Sequence, residues 1–170
     1  MQVEKPSQVA IARKYPEQIV VAVCLDAQGK YNPITLGWTM ITSSHPLMMA
    51  ISVGLTRHTV GAIRHGKEFV IAFPSSMMAS DVRFFGTRSG RDVDKLAACG
   101  TETEPAREID GRLLSDAVAN FECVLESQLR TGDHVIFVGQ VVCAHVNTDP
   151  TRKRLFNLGE GQFDTVASSS

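Results

Sequence analysis

The chain has 170 residues, a formal net charge of −1 and a charged fraction of 21%. This length fits one domain with a buried core, and the near-neutral charge argues against a nucleic-acid-binding protein, which usually needs a strongly basic surface. No basic segment with a long apolar stretch follows Met1, and no apolar run approaches about 20 residues. We therefore expect no signal peptide, no membrane span and no nucleic-acid partner.

The four cysteines lie far apart in the sequence, with no C-x-x-C pair and no clustered Cys/His spacing. They are Cys24, Cys99, Cys123 and Cys143. This pattern predicts free thiols and no metal site, and a reducing cytoplasm is the expected location.

In chain order, residues 1–18 are polar and punctuated by prolines, which indicates an N-terminal arm. The stretch "IVVAVCLDAQGKYNPITLGWTMI" that follows predicts two strands joined by a D-A-Q-G-K turn. After a His45-Pro46 corner, apolar residues recur at every second position, which predicts a further strand. These apolar residues are Leu47, Met49, Ile51, Val53 and Leu55.

A row of hydroxyl side chains runs along the same region. Thr35, Thr39 and Ser43 share one face of the first run, and Ser52 lies on the face of small residues in the second run. A buried hydroxyl without a hydrogen-bonding partner costs roughly 1–3 kcal/mol. We therefore expect this face to meet water, a partner or a ligand.

Three short helices are predicted between the strands, with the strand "EFVIAFP" after the first of them. Their predicted caps are Thr59 and Gly66 for the first, Ser75 or Ser76 for the second, and Asp92 and Gly100 for the third.

Residues 101–115 are polar and predict a surface excursion with one short strand. Beyond them, apolar Phe121 and Cys123 alternate with polar residues such as Glu122, which is typical of a half-buried strand. A T-G-D turn then leads into the β-branched stretch "HVIFVGQVVCAHV", a predicted long strand.

Six or seven strands with short turns and short helical insertions predict a mainly β fold, a closed or split antiparallel barrel. The predicted domain covers residues 19–150. A tail, residues 151–170, follows it, and we expect its last few residues to fray.

The segment "SVGLTRHTVGAI" joins a small-residue strand to a helix start, with Arg57, His58 and Thr59 at the junction. Free N–H groups and the helix dipole favour an anion there, and Arg57 can bind one bidentately. The alternative is an ordinary helix cap beside a solvated arginine. The hydroxyl row favours the first interpretation, because a polyol chain that ends in a phosphate would satisfy both features.

A second anion-binding element is the stretch "GTRSGRDVDKL". Gly90 permits an unusual backbone angle, and Ser89, Arg91 and Lys95 add hydrogen-bond donors. The alternative is a capped helix with acidic residues in its first turn. Trp38, on the face opposite to the hydroxyl row, is predicted to lie in the core or in an interface.

Taken in order, these residues resemble the flavin reductase-like, FMN-binding split-barrel family, in particular its flavoredoxin branch. The resemblance runs from Ile19 to Val146. It rests on N-P-I-T-x-x-W, T-S-S-H-P-L-x-x-A-I-S-V-G, R-H-T, G-K-E-F-V-I-A-F-P, S-G-R-D-V-D-K and G-D-H-V-I-F-V-G-Q-V.

The resemblance implies a set of FMN-binding residues. Those for the isoalloxazine ring are Thr35, Leu36, Gly37, Trp38, Thr39 and Met40. Those for the ribityl chain or the phosphate are Ser43, Ser44, Ser52, Arg57 and Thr59, with Val53, Gly54 and His58 as their neighbours. Those that close over the cofactor are Ser89, Gly90, Arg91 and Lys95.

His134 falls where the family places a residue near the reactive side of the flavin, and it is the candidate catalytic residue; the alternative is a simple strand-start histidine. The resemblance further implies a homodimer with the flavin near the interface. The implied activity is electron transfer from NAD(P)H or a protein donor, through FMN, to an acceptor. The alternatives are an electron carrier that does not use NAD(P)H, or a β-barrel binding module without redox function.

Overall fold

The computed structural model describes residues 1–165; residues 166–170, the part of the predicted tail that is expected to fray, lie outside them. The strands are β1 Glu17–Gln18, β2 Val20–Leu25, β3 Tyr31–Leu36, β4 Thr39–Ser44, β5 Leu47–Gly54, β6 Glu68–Phe73, β7 Thr103–Pro105, β8 Arg112–Leu114, β9 Ala119–Thr131, β10 His134–Val146, β11 Phe156–Gly159 and β12 Gln162–Asp164. The helices are α1 Ser7–Ile11, α2 His58–Gly66, α3 Ala79–Thr87 and α4 Lys95–Cys99, with 3₁₀ turns at Ala12–Lys14 and Ser76–Met78.

Seven strands form one antiparallel sheet in the order β3-β2-β6-β9-β10-β5-β4. Its two edge strands, β3 and β4, are consecutive in the chain and are joined only by Gly37 and Trp38. The sheet must therefore curl until its two edges meet at this connection. The result is a split barrel, and the predicted mainly β fold is confirmed.

The barrel interior is filled by an apolar cluster from the inward faces of the strands, closed at one side by α2. Its fully buried members include Ile51, Val53, Phe69, Ile71 and Phe137. The alternation predicted for β5 is therefore correct: Met49, Ile51 and Val53 point into this core.

A second apolar cluster covers the outer face of β2 and β6, and it corrects the prediction of a surface excursion at residues 101–115. Leu114 is fully buried there, and Ile109 and Leu113 are nearly so. The outer face of β2 carries Val21 and Val23, so it needs a cover of its own. Residues 109–117 and α3 supply that cover.

The same cover explains why Glu122 is buried rather than solvent-facing as its strand pattern predicted. Glu122 does lie on the face opposite to Cys123, but residues 107–109 pack over that face and donate their backbone N–H groups to its carboxylate. Period-two alternation gives the face of a residue and leaves open what covers that face.

The predicted arm and tail lie against each other. β1 pairs with β11, and β11 pairs with β12, in a three-stranded sheet. Leu155 of the tail is buried in the outer cluster. The domain boundaries stay predictions.

Two predicted helix starts need correction. Helix α2 begins at His58, with Arg57 at the N-cap position, so Thr59 lies within the first turn. Helix α4 is capped by Asp94, whose carboxylate accepts the N–H of Ala97 at 3.1 Å, and Asp92 lies outside it. Gly100 ends α4 with a φ of 66°, as predicted.

No helix within residues 1–165 is long and apolar enough to cross a membrane. All four cysteines are free thiols.

Candidate functional site

A cavity of about 110 Å³ lies where the N-terminus of α2 meets β3 and the segment before α4. Its polar lining residues are Asn32, Thr56, Arg57, His58, Thr59, Arg88, Ser89, Arg91 and Lys95. Four of them are arginine or lysine, and no Asp or Glu of the described chain lines it. We call this space the cationic cavity.

Lys95 is the buried cationic residue of the cationic cavity, and it indicates most directly that the cavity binds an anion. It is 3% exposed, and its Nζ donates to the carbonyl oxygen of Phe85 at 3.3 Å. Within residues 1–165 it forms no ion pair. Burial, and to a smaller extent the positive charge of Arg57, lowers the pKa of Lys95 to about 8. A buried ammonium group without a carboxylate needs an anion to offset its lost hydration.

Asn32 and Thr59 form a buried polar pair in the same cavity. The Asn32 side-chain amide donates to Thr59 Oγ1 at 2.9 Å, and both residues are almost fully buried. Asn32 Oδ1 accepts no hydrogen bond from residues 1–165, which is unusual for a buried carbonyl oxygen. The Thr59 hydroxyl still has its own proton to donate, so the pair offers one donor and one acceptor to a ligand.

His58 is held in place by Asp26. The His58 Nε2 atom lies 3.0 Å from Asp26 Oδ2, and Asp26 Oδ1 accepts the backbone N–H groups of Gln28 and Lys30 at 2.9 Å each. Burial acts to raise the pKa of Asp26, but these hydrogen bonds outweigh it and hold the pKa below its usual value. The carboxylate therefore stays ionised and fixes the orientation of His58 at the cavity wall.

Gly90 lets the backbone approach the cavity closely. A Cβ atom at this position would overlap Asn32 Oδ1 and would lie 3.1 Å from His58 Cδ2. Arg91 is held beside it, because its guanidinium donates to the carbonyl oxygen of Thr56 at 3.2 Å. Glycine at position 90 is therefore a steric requirement of the cavity.

A larger space of about 360 Å³ continues from the cationic cavity and opens to solvent. The two spaces share Ile34, Thr56 and Arg57 as lining residues. The others in this second space, which we call the open groove, are Thr35, Leu36, Gly37, Trp38, Ser52, Gly54, Asp133 and His134. A long ligand with an anionic end can therefore lie across both spaces.

His134 lies at the mouth of the open groove. Its ring stands 4.7 Å from the Trp38 ring, centroid to centroid, and its Nδ1 lies 2.7 Å from Asp133 Oδ1. The pKa of Asp133 is lowered by this hydrogen bond and by the charge of His134. Register pairs His134 with Gly54 across β10 and β5, so the imidazole faces the groove end of both strands.

Two hydroxyls of the predicted row form hydrogen bonds to backbone carbonyls of this chain, and they do not need a ligand. Thr35 lies on β3 and Thr39 on β4, the two opposite edges of the sheet. Thr35 Oγ1 donates to the carbonyl oxygen of Val82 at 2.6 Å, and Thr39 Oγ1 donates to that of Ala50 at 2.9 Å. Backbone carbonyls thus satisfy two hydroxyls that the sequence assigned to a ligand, although Thr35 still lines the open groove.

Five of the predicted site residues do not line either of these two spaces. Ser43 and Ser44 pair with Met48 and Leu47 at the far end of the β4–β5 hairpin. Thr39 and Met40 line a neighbouring apolar hollow on β4, β5 and β10, which shares Trp38 and Ser52 with the open groove. The Val53 side chain is in the barrel core.

The remaining predicted residues line these two spaces and come from four chain regions. They are Thr35 to Trp38, Ser52 and Gly54, Arg57 to Thr59, Ser89 to Arg91, Lys95 and His134. The polar site residues that were not predicted include Asn32, Arg88 and Asp26. Asn32 stands in the N-P-I-T motif, which was the one available signal.

A family model for the flavin reductase like domain matches residues 12–166. Among curated proteins, an uncharacterized protein of Archaeoglobus fulgidus is 29% identical over 66% of this chain and 64% of its own length. One of Pyrococcus abyssi is 33% identical over 65% of this chain and 63% of its own length. The match thus spans less than two thirds of these relatives.

Solved structures share the fold. An FMN-binding protein from Thermus thermophilus is 22% identical with a TM-score of 0.85, covering 100% of this chain and 97% of its own. Flavoredoxin from Methanosarcina acetivorans is 22% identical with a TM-score of 0.87, covering 100% and 94%. An NADH:FAD oxidoreductase of Streptomyces globisporus is 20% identical with a TM-score of 0.82, covering 99% of both chains.

Proposed function

The chain belongs to the flavin reductase-like family, and from this premise we propose that it is an FMN-binding oxidoreductase that passes electrons from a donor to an acceptor. The observation that carries the proposal is Lys95, a buried ammonium that has no carboxylate partner within residues 1–165. It lies in a cationic cavity that continues into the open groove. The solved structures of the same fold that are named for FMN or flavoredoxin support it.

The cationic cavity fits the phosphate end of FMN. Lys95, Arg57 and Arg91 supply the positive charge, and the start of α2 adds a dipole that favours an anion. The Asn32 carbonyl oxygen, which lacks a partner within the described chain, can accept a hydrogen bond from a ligand hydroxyl. Gly90 keeps the space open. These residues would bind FMN and fix its orientation.

The open groove fits the ring end. It has room and apolar walls at Ile34 and Leu36, and Trp38 and His134 stand at its mouth. When bound, FMN would supply the two-electron redox chemistry. The task of the protein is then to shield one side of the ring and leave the other open to a reaction partner, with His134 as the candidate ionisable group at that opening.

The absorbance spectrum of the purified protein tests this proposal. We expect a yellow protein, or an apo-protein that quenches the fluorescence of added FMN in a saturable way. A colourless protein that leaves FMN fluorescence unchanged would contradict FMN binding and would leave the non-redox binding module as the better account.

For the electron donor we propose NADH or NADPH, on the strength of the NADH:FAD oxidoreductase among the similar folds. A carrier that takes electrons from a protein is the second candidate, supported by flavoredoxin. Anaerobic titration separates them: bleaching of the flavin by either nicotinamide supports a reductase, and no bleaching by either supports the carrier.

We further propose a homodimer that uses the edge strand β4. Met40 and Ile41 of this strand expose 59% and 66% of their surface, and Trp38, just before the strand, exposes 52%. An exposed apolar edge strand favours association with another chain. Sedimentation of the wild type and of Ile41→Lys should show a dimer and a monomer; two monomers would contradict this.

The four free thiols support a reducing compartment, and we propose the cytoplasm.

A further inference from the structure

Three chemically different side chains lie close together at the C-terminal end of strand β10, the end away from His134. Cys143 and His145 lie two residues apart on β10, and Cys143 is paired with Glu122 on β9. One carboxylate oxygen of Glu122, the Cys143 Sγ atom and a ring nitrogen of His145 all lie within 4.8 Å of one another. Carboxylate, thiolate and imidazole are the three ligand types of zinc sites in proteins.

Glu122 is anchored as a metal ligand would be. It is fully buried, and its two oxygens accept the backbone N–H groups of Arg107 at 2.9 Å, Glu108 at 2.7 Å and Ile109 at 3.2 Å. Three backbone N–H donors on one carboxylate favour its charged form. The carboxylate is therefore ionised and fixed in orientation by its outer hydrogen bonds.

The geometry of these three side chains differs from that of a catalytic Cys–His–acid triad. His145 Nε2 lies 2.5 Å from Glu122 Oε1 and 3.4 Å from Cys143 Sγ. A catalytic Cys–His–acid triad uses the two different ring nitrogens, one for each partner. Here a single nitrogen faces both partners, so the imidazole cannot take a proton from the thiol while it donates to the carboxylate.

We propose that Glu122, Cys143 and His145 form a binding site for Zn²⁺ or a chemically similar transition-metal ion. A tetrahedral zinc ion separates its ligand atoms by about 3.3–3.5 Å, so the sulfur and nitrogen already stand at the required spacing. To bind the metal, the imidazole must turn outward from Glu122 Oε1 and present an unprotonated ring nitrogen. Cys143 binds as a thiolate, so its thiol proton passes to solvent.

Access to the site comes through His145. Its side chain is 30% exposed, and it lines a hollow of about 210 Å³ between the end of β10 and residues 113–117. Three protein ligands leave a fourth position for water or another ligand from this hollow. A bound ion would also tie residues 107–109 to the barrel through Glu122.

This site is separate from the cationic cavity and the open groove. His134 and His145 stand at opposite ends of β10, roughly 35 Å apart along the strand at about 3.3 Å per residue. The sequence predicted no metal site because Glu122 and Cys143 are far apart in the chain and show no metal-binding spacing. Strand register brings them together.

The test is Zn²⁺ binding to the untagged full-length protein, kept reduced, stripped with a chelator and titrated against a chromophoric competitor. We expect one Zn²⁺ per chain, a higher midpoint of thermal unfolding with Zn²⁺, and thiolate-to-cobalt absorption when Co²⁺ replaces it. Cys143→Ala and His145→Gln should each weaken binding more than about 100-fold, above the effect of losing an outer-shell contact.

The matched controls are Cys99→Ala and His65→Gln, which remove a thiol and an imidazole outside the cluster. They should bind Zn²⁺ as the wild type does, and all four variants should keep FMN binding, which shows that they fold. Glu122→Gln is avoided, because three backbone N–H groups depend on that carboxylate. No stoichiometric Zn²⁺ binding, or equal binding by Cys143→Ala and Cys99→Ala, would overturn the proposal.

Discussion

The cationic cavity and the open groove are connected, but they differ in volume, in the burial of their lining residues and in their access to solvent. The cationic cavity is small and lined by buried polar groups, with Thr59 and Lys95 only 1% and 3% exposed. The open groove is about three times larger, and Trp38 at its mouth is 52% exposed. Under the proposed function, this difference divides two tasks along the ligand: the closed cavity would bind its anionic end, and the open groove would expose its ring to the reaction partner.

The largest effect should come from removing the buried charge of the closed end. Lys95→Met keeps the length of the side chain but removes its ammonium, and it should weaken FMN binding by about 2–5 kcal/mol, the range for one partner of a buried charge pair. The apo-protein should be at least as stable as the wild type, because the burial that lowers the pKa of Lys95 opposes its charged form.

Fluorescence titration with FMN measures the first expectation, and chemical unfolding of the apo-protein measures the second. The control is Lys153→Met, at an exposed lysine outside the cavity. FMN affinity equal to that of the control would remove Lys95 from the phosphate site.

Arg57 joins the two spaces, and its loss should cost less. Arg57→Ala should weaken FMN binding by roughly 1.5–3 kcal/mol, the range for hydrogen bonds to a charged group. The control is Arg64→Ala on the same helix, whose guanidinium donates to Gln128 away from the cavity. If calorimetry finds the same FMN affinity for both variants, the phosphate lies elsewhere.

The closed end should also make FMN binding sensitive to pH. Lys95 has a pKa of about 8, so its ammonium is present below that pH and is lost as the pH rises through it. We expect FMN affinity to fall about tenfold between pH 7 and pH 9. The contribution of Lys95 to apo-protein stability changes in the opposite sense, since between pH 8 and 10.5 the unfolded chain holds its proton more tightly.

Titrations at a series of pH values on the wild type and Lys95→Met check this pH dependence. The profile of the variant should be flat over the same range. Parallel profiles for the two proteins would assign the pH dependence to another group.

The smallest effect on binding belongs to the open end. His134→Gln should keep FMN affinity within about threefold. It should raise the activation free energy of flavin reduction by roughly 0.5–1.5 kcal/mol, the net contribution of one neutral hydrogen bond. Stopped-flow reduction beside equilibrium titration separates the two quantities, with His65→Gln as control. A large loss of affinity with an unchanged rate would reverse the roles assigned to the two ends.

The barrel fold and most residues of the two spaces could be predicted from the sequence, and the residues that were missed have physical reasons. Strand periodicity and turn residues indicated the barrel, and the family resemblance indicated Arg57 and Lys95. Asn32 was missed because its role depends on β3 lying beside α2, which places it next to Thr59, a residue 27 positions away. A local pattern contains no information on such a distant contact.

The hydroxyl row shows the opposite error. Sequence reasoning treated Thr35 and Thr39 as ligand groups, but the carbonyl oxygens of Val82 and Ala50 accept their hydrogen bonds. Val82 stands 47 residues from Thr35, so no local pattern could supply this acceptor. The same limit applies to Glu122, whose burial depends on the cover that residues 107–109 provide.

Comparing the affinities of FMN and riboflavin for the same apo-protein tests the central claim most directly, because the two ligands differ only in the phosphate. If the cationic cavity holds that phosphate, FMN should bind at least about 100-fold more tightly than riboflavin, a difference near 3 kcal/mol. Equal affinities for the two flavins would contradict the account, since the buried charge of Lys95 would then contribute nothing to binding.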